Sequence, residues 1–172
     1  MNTQLHHNNS EFIKKVFSIT LICDQVNSPA NIGSIFRLAD SFGVEKIIFC
    51  GQNITVISKR MIRTARSTYQ FVSYEENESC LDVVHSLKKN NYKVIALEIT
   101  DSSISLPELK IEQNDKIALV IGEENFGISA RVLDEVDSVT HINMYGKNSS
   151  MNVASATGIA LYEITNQITE QK

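Results

Sequence analysis

Short apolar runs alternate with helically patterned segments along nearly the whole 172-residue chain, and this constrains the fold more than any other feature. Residues 17–23, 46–50, 71–74, 92–99, 116–121 and 138–142 are β-like. Between them, residues 32–42 carry Ile32, Ile35, Phe36, Ala39 and Phe42 at helical spacing, after a Ser28-Pro29 turn and before Gly43, a residue suited to stopping a helix. Residues 58–66 form a basic helix-like segment. Residues 80–89 read as an amphipathic helix with Leu81, Val84 and Leu87 inward, 129–135 as a further helix and 151–168 as a long final one. Residues 101–115 read as a polar loop. Strands alternating with helices predict an α/β fold with a mainly parallel sheet and helices on both faces.

A chain of this length suits a single domain over residues 1–172, with flexible tails expected at 1–14 and 170–172. No apolar run approaches the roughly 20 residues of a membrane span, and residues 1–10 lack the apolar region of a signal peptide, so a cytoplasmic location is expected. Cys23, Cys50 and Cys80 are far apart in sequence and are read as free thiols; Cys23 and Cys50 end β-like runs as small buried apolar groups. His6, His7, His85 and His141 show no metal-ligand spacing, so no metal is expected. The formal net charge of −4 argues against a strongly electrostatic nucleic-acid binder. Charge can still be concentrated locally: Lys59, Arg60, Arg63 and Arg66 fall largely on one face if their segment is helical, which suits phosphate contacts as well as a merely solvated surface.

Three segments join a β-like run to a helix-like one through glycine and polar residues: 31–43, 121–129 and 142–153. In the first, Asn31 stands where an N-cap would, Gly33 permits close backbone approach, and Ser34, Arg37 and Ser41 form a polar stripe. A guanidinium on that stripe can stabilise developing alkoxide charge and clamp a phosphate through its planar fork; paired with Asp40 it would be only a solvated surface cation. In the second, residues 122–127 make a glycine-rich turn without a Gly-x-Gly-x-x-Gly or Walker pattern, which removes dinucleotide and P-loop readings. In the third, Ser150 and Asn152 open the last helix, whose free N–H groups can hold a carboxylate or phosphate; a plain serine N-cap is the structural alternative.

In this order, the three segments resemble the sequence motifs of the SpoU/TrmH family of RNA ribose 2′-O-methyltransferases, within the SPOUT superfamily. Asn31, Gly33 and Arg37 match its Asn-x-Gly-x-x-x-Arg; Gly122, Glu124 and Gly127 match its Gly-x-Glu-x-x-Gly; Ser150-Met-Asn-Val153 resembles its Ser-Leu-Asn-Val. The resemblance implies an S-adenosylmethionine-dependent enzyme that methylates a ribose 2′-OH of RNA, with a deep C-terminal trefoil knot and a homodimer formed through the last helix. It implies catalytic roles for Asn31, Arg37, Glu124, Ser150 and Asn152, and a cofactor held by Leu97, Gly122, Ile142, Ser150 and Met151. Small family members often act on tRNA, and no separate N-terminal RNA-binding domain is evident, so tRNA is favoured over rRNA. Two positions depart from the family pattern. Glu123 replaces a smaller or uncharged residue and is expected to face solvent or the cationic cofactor. Asn143 replaces proline and is expected to loosen one wall of the pocket. A catalytically silent RNA-binding homologue is the alternative of another class; retention of Arg37, Glu124, Ser150 and Asn152 together argues against it.

Overall fold

The computed structural model describes residues 12–148 and 150–170, so the expected tails lie mainly outside the described residues. The strands are β1 (Phe17–Asp24), β2 (Val44–Cys50), β3 (Ser73–Asn77), β4 (Tyr92–Leu97), β5 (Ile104–Ser105), β6 (Lys116–Gly122) and β7 (Ser138–His141). The helices are α1 (Pro29–Ser41), α2 (Lys59–Ala65), α3 (Cys80–Lys89), α4 (Ala130–Leu133) and α5 (Val153–Glu170). The strands form one sheet in the order β3-β2-β1-β6-β4-β7-β5, and every strand pairing in it is parallel. This agrees with the α/β class expected from the alternation.

Alternate residues of each strand feed opposite cores, as the period of two requires. Ile19, Leu21 and Cys23 of β1, Ile47 and Phe49 of β2 and Ile117, Leu119 and Ile121 of β6 pack with α1, α2 and α5. Ile22, Ile48, Val94, Ala118 and Val120 point the other way and pack with α3 and α4. The central strands are buried on both faces, which is why they read as continuous apolar runs rather than as polar alternation.

Several boundaries differ from expectation for identifiable reasons. Helix α1 begins at Pro29 rather than after Asn31; proline's fixed φ suits the first helical turn and Ile32 N–H donates to Ser28 O at 2.9 Å, so Ser28 is the N-cap. Strand β3 is shifted to Ser73–Asn77, because residues 68–70 form a 3-10 turn that leaves Phe71 73% exposed. In α3 the buried residues are Cys80, Val83, Val84 and Leu87, with Leu81 only partly covered. The segment 101–115 is not a plain loop. It contains β5 and a 3-10 turn, Leu106–Glu108, closed by a Ser105/Glu108 capping box, and it buries Leu106, Leu109 and Ile111.

Candidate active site

Neighbouring strands β6, β4 and β7 end on the same side of the sheet, the side where open parallel sheets place ligands. The segments that follow them surround a cavity of about 480 Å³, within the usual size range of small-molecule sites. Leu97, Gly122, Ile142, Ser150 and Met151, the five residues expected around a cofactor, all line it.

The β6 segment folds back sharply on itself. A Cβ on Gly122 would lie 2.2 Å from the carbonyl carbon of Gly127 and 2.4 Å from the nitrogen of Ile128, so only glycine fits there. Gly127 has φ +66°, the left-handed region, and Glu98 packs against it. The Glu98 carboxylate accepts from Ile128 N–H at 3.1 Å and Ile99 N–H at 3.0 Å, tying the β4 and β6 segments together. Glu123 stands half-exposed at the cavity wall, as expected of a residue facing solvent or cofactor, and it also acts locally. Its carboxylate accepts from Asn125 N–H at 2.9 Å, Phe126 N–H at 3.0 Å and the Asn125 side-chain amide at 2.7 Å, and so shapes its own turn. After β7, the Asn143 amide donates to Ser105 Oγ at 2.9 Å and ties that segment to the end of β5.

Beside the cavity, three of the expected catalytic residues meet. Asn152 Nδ2 donates to Glu124 Oε1 at 2.7 Å and to Asn31 Oδ1 at 3.0 Å. Asn152 Oδ1 accepts from Ala154 N–H at 3.1 Å and Ser155 N–H at 3.2 Å, so Asn152 caps α5. This corrects two readings: Asn31 is no N-cap but a buried residue inside the first turn of α1, and the cap of α5 is Asn152, not Ser150. Ser150 lines the cavity instead.

Arg37 is exposed on α1, one helical turn beyond Gly33, where α1 packs so closely on α2 that a Cβ would lie 2.7 Å from Met61 O. Among the described residues its side chain forms no hydrogen bond or ion pair, either with Asp40 or with the Asn31–Asn152–Glu124 trio. Lys59, Arg60 and Arg63 on α2 and Arg66 at its end are likewise exposed and unpaired. Arg66 has φ +57°, a backbone conformation costing an arginine about 1–3 kcal/mol.

The cysteines stand apart from this chemistry. All three are buried and free. Burial pushes the Cys23 thiol up, and a hydrogen bond with Cys50, followed by burial, pushes Cys80 up strongly, so neither is a thiolate at neutral pH. Sequence reasoning missed Glu98 and Phe126 at the cavity. A lone acid after a strand, or an aromatic in a turn, has no periodic signal that separates it from an ordinary surface residue.

Residues 18–162 match the model of the SpoU rRNA Methylase family. The chain belongs to that family. SpoU relatives include a tRNA/rRNA methyltransferase of Borreliella burgdorferi described as uncharacterized, 28% identical over 91% of this chain and 68% of its own length. The 23S rRNA guanosine 2′-O-methyltransferase RlmP of Bacillus subtilis is 26% identical over 84% of this chain and 56% of its own. The chain thus spans between about half and two thirds of the length of these curated SpoU relatives. The SpoU fold is seen in the A. aeolicus TrmH/SpoU tRNA modifying enzyme, with TM-score 0.82 and 24% identity over 92% of this chain and 79% of that one. An AdoMet-bound rRNA methyltransferase from Sinorhizobium meliloti superposes with TM-score 0.81 at 22% identity, over 92% of this chain and 59% of that one.

Removing the amide of Asn152 tests the trio directly. Asn152→Ala deletes the α5 cap and leaves buried Asn31 Oδ1 without its donor. The cap alone is worth about 1 kcal/mol, which corresponds to a melting temperature about 2–4 °C lower for a domain of this size. Thermal denaturation should show at least that fall. Asn152→Asp keeps a capping oxygen but sets a second carboxylate against Glu124, so it should lose activity more than stability. Unchanged melting in Asn152→Ala would mean that the trio does not anchor α5.

Proposed function

We propose that this chain transfers a methyl group from S-adenosylmethionine to a ribose 2′-OH of RNA, tRNA in preference to rRNA, in the cytoplasm. The observation that carries the reading is the meeting of Asn31, Glu124 and Asn152 beside a cavity lined by the expected cofactor residues. The residues present fit the cofactor chemically. Glu98, Glu123 and Glu124 supply carboxylates around the cavity for a cationic sulfonium, and Gly122 leaves room for backbone approach. Bound S-adenosylmethionine would supply a methyl group activated by that sulfonium.

The chain's own residues do the rest. Arg37 holds the phosphate beside the target ribose and stabilises negative charge developing on the 2′-oxygen. A guanidinium holds its proton too firmly to be a good acceptor, so electrostatic activation is favoured over general-base action, with the neighbouring phosphate able to take the proton. Asn152 orients Glu124 through its 2.7 Å hydrogen bond, and Glu124 in turn orients donors entering the site. Ser150 and Met151 close the cavity wall ahead of α5.

The proposal includes a homodimer and a C-terminal trefoil knot. Exposed Ile159 and Tyr162 on α5, and an Arg37 unbonded to the trio of its own chain, support the dimer. The packing of α5 against α1 and against β4 and β6, with three chain segments converging on one cavity, supports the knot. Calorimetry with S-adenosylmethionine or its demethylated product tests the cofactor. Binding without added metal or nicotinamide is expected, and none at millimolar ligand would favour a silent RNA-binding homologue. The four unpaired cations at 59–66 are assigned to RNA phosphates. Replacing Arg60 and Arg63 by glutamine should raise the RNA dissociation constant and flatten its logarithmic salt dependence by roughly one to two, with cofactor affinity unchanged. An unchanged slope would exclude that surface.

A further inference from the structure

Phe126 is a large apolar side chain left 91% exposed, yet its backbone is not loose. Its N–H, like that of Asn125 before it, donates to the Glu123 carboxylate, and Gly127 N–H closes the turn onto Glu123 O at 2.8 Å. The ring therefore stands on a braced turn. It lies two residues from Glu124, which is fixed by Asn152, and it contributes to the cavity wall. Among the described residues nothing covers it. A phenylalanine exposed at a braced position beside a catalytic carboxylate leaves apolar surface in water, and a ligand that covers it recovers that hydration free energy.

We infer that Phe126 is a stacking platform for a base of the RNA substrate, next to the ribose presented to Arg37 and Glu124. This rests on the RNA methyl-transfer reading above. A single-stranded nucleotide splayed out for reaction offers a π-face of matching size, and proteins that hold unpaired RNA bases do so on aromatic side chains. The Glu123 departure then gains a purpose: its carboxylate holds the turn so that the ring is presented without an ordering cost on binding. Phe126 is a positioning residue. It chooses how the nucleotide lies and does not take part in the methyl displacement.

The sequence contains no tryptophan, so Phe126→Trp introduces a single reporter. The probes are a mixed-sequence single-stranded RNA of about 20 nucleotides and unmodified tRNA. Quenching of the tryptophan by RNA is expected, with methyl transfer retained by this conservative variant. Phe126→Ala should raise KM for RNA roughly tenfold or more, by a larger factor than any change in the cofactor dissociation constant, while the melting temperature stays at the wild-type value. Wild-type KM in Phe126→Ala would overturn the inference. So would a tryptophan unquenched by RNA that anisotropy shows to be bound. A loss of cofactor affinity in Phe126→Ala at least as large as the rise in KM for RNA, or a response of the tryptophan to protein concentration alone, would assign the ring to the cofactor or to a second copy and also overturn it. Wild-type protein that methylates no RNA would instead remove the underlying reading, which separates the two failures.

Discussion

Arg37→Ala is expected to lower methyl transfer by at least about 10²–10³-fold, the range seen when a group that stabilises a developing oxyanion is deleted. Cofactor affinity and melting temperature should be preserved. The reason is local: the Arg37 side chain is exposed, makes no hydrogen bond or ion pair among the described residues, and sits opposite the buried stripe of Ile32, Ile35, Phe36 and Ala39 that anchors α1. Removing it takes nothing from the core. Arg37→Lys should be nearly as poor, since an ammonium keeps the charge but lacks the planar fork that can hold a phosphate and a ribose oxygen together. The check is single-turnover transfer of a radiolabelled methyl group at saturating cofactor. Near-wild-type rates in either variant would remove Arg37 from the chemistry.

Gly122→Ala should have the second large effect, through geometry rather than chemistry. The added methyl would meet backbone atoms of Gly127 and Ile128 at 2.2–2.5 Å, and neither can swing away as a flexible side chain could. The turn 123–127 must move, taking Glu124 out of reach of Asn152 and reshaping the cavity wall. A strain of about 1–3 kcal/mol corresponds to roughly 5–150-fold in cofactor affinity. Calorimetry should show that loss, with the far-ultraviolet circular dichroism spectrum retained. Wild-type affinity would show that the turn relaxes freely and that its shape does not define the site.

Both variants lie in segments whose chemistry was readable in the sequence, but for different reasons. The sheet was legible because β1, β2, β4 and β6 are doubly buried apolar runs, and α1, α3 and α5 carry local spacing that needs no tertiary knowledge. What failed was set by contacts distant in sequence. A two-residue strand such as β5 has no periodicity, and Leu106, Leu109 and Ile111 are buried in the core they share with α5, which is distant in sequence. The site divides in the same way. Asn152 reaches Asn31 across 121 residues and Glu124 across 28, a meeting that composition and periodicity could not reveal; only the family motifs linked the three. Those motifs were silent on Glu98, which binds Ile128 N–H across 30 residues. They also did not foretell the local fastenings at Glu123 and Asn143, a carboxylate-braced turn and an amide tie to Ser105.

The central claim is methyl transfer to a ribose oxygen of RNA, and product analysis addresses it directly. Purified protein is incubated with methyl-labelled S-adenosylmethionine and unmodified tRNA or rRNA, the RNA is digested to nucleosides, and the labelled nucleoside is identified by mass spectrometry. The expected result is a labelled 2′-O-methylnucleoside, formed by wild-type protein and not by Arg37→Ala. RNA that carries no label, or a label found on a base rather than on the ribose, would contradict the assignment.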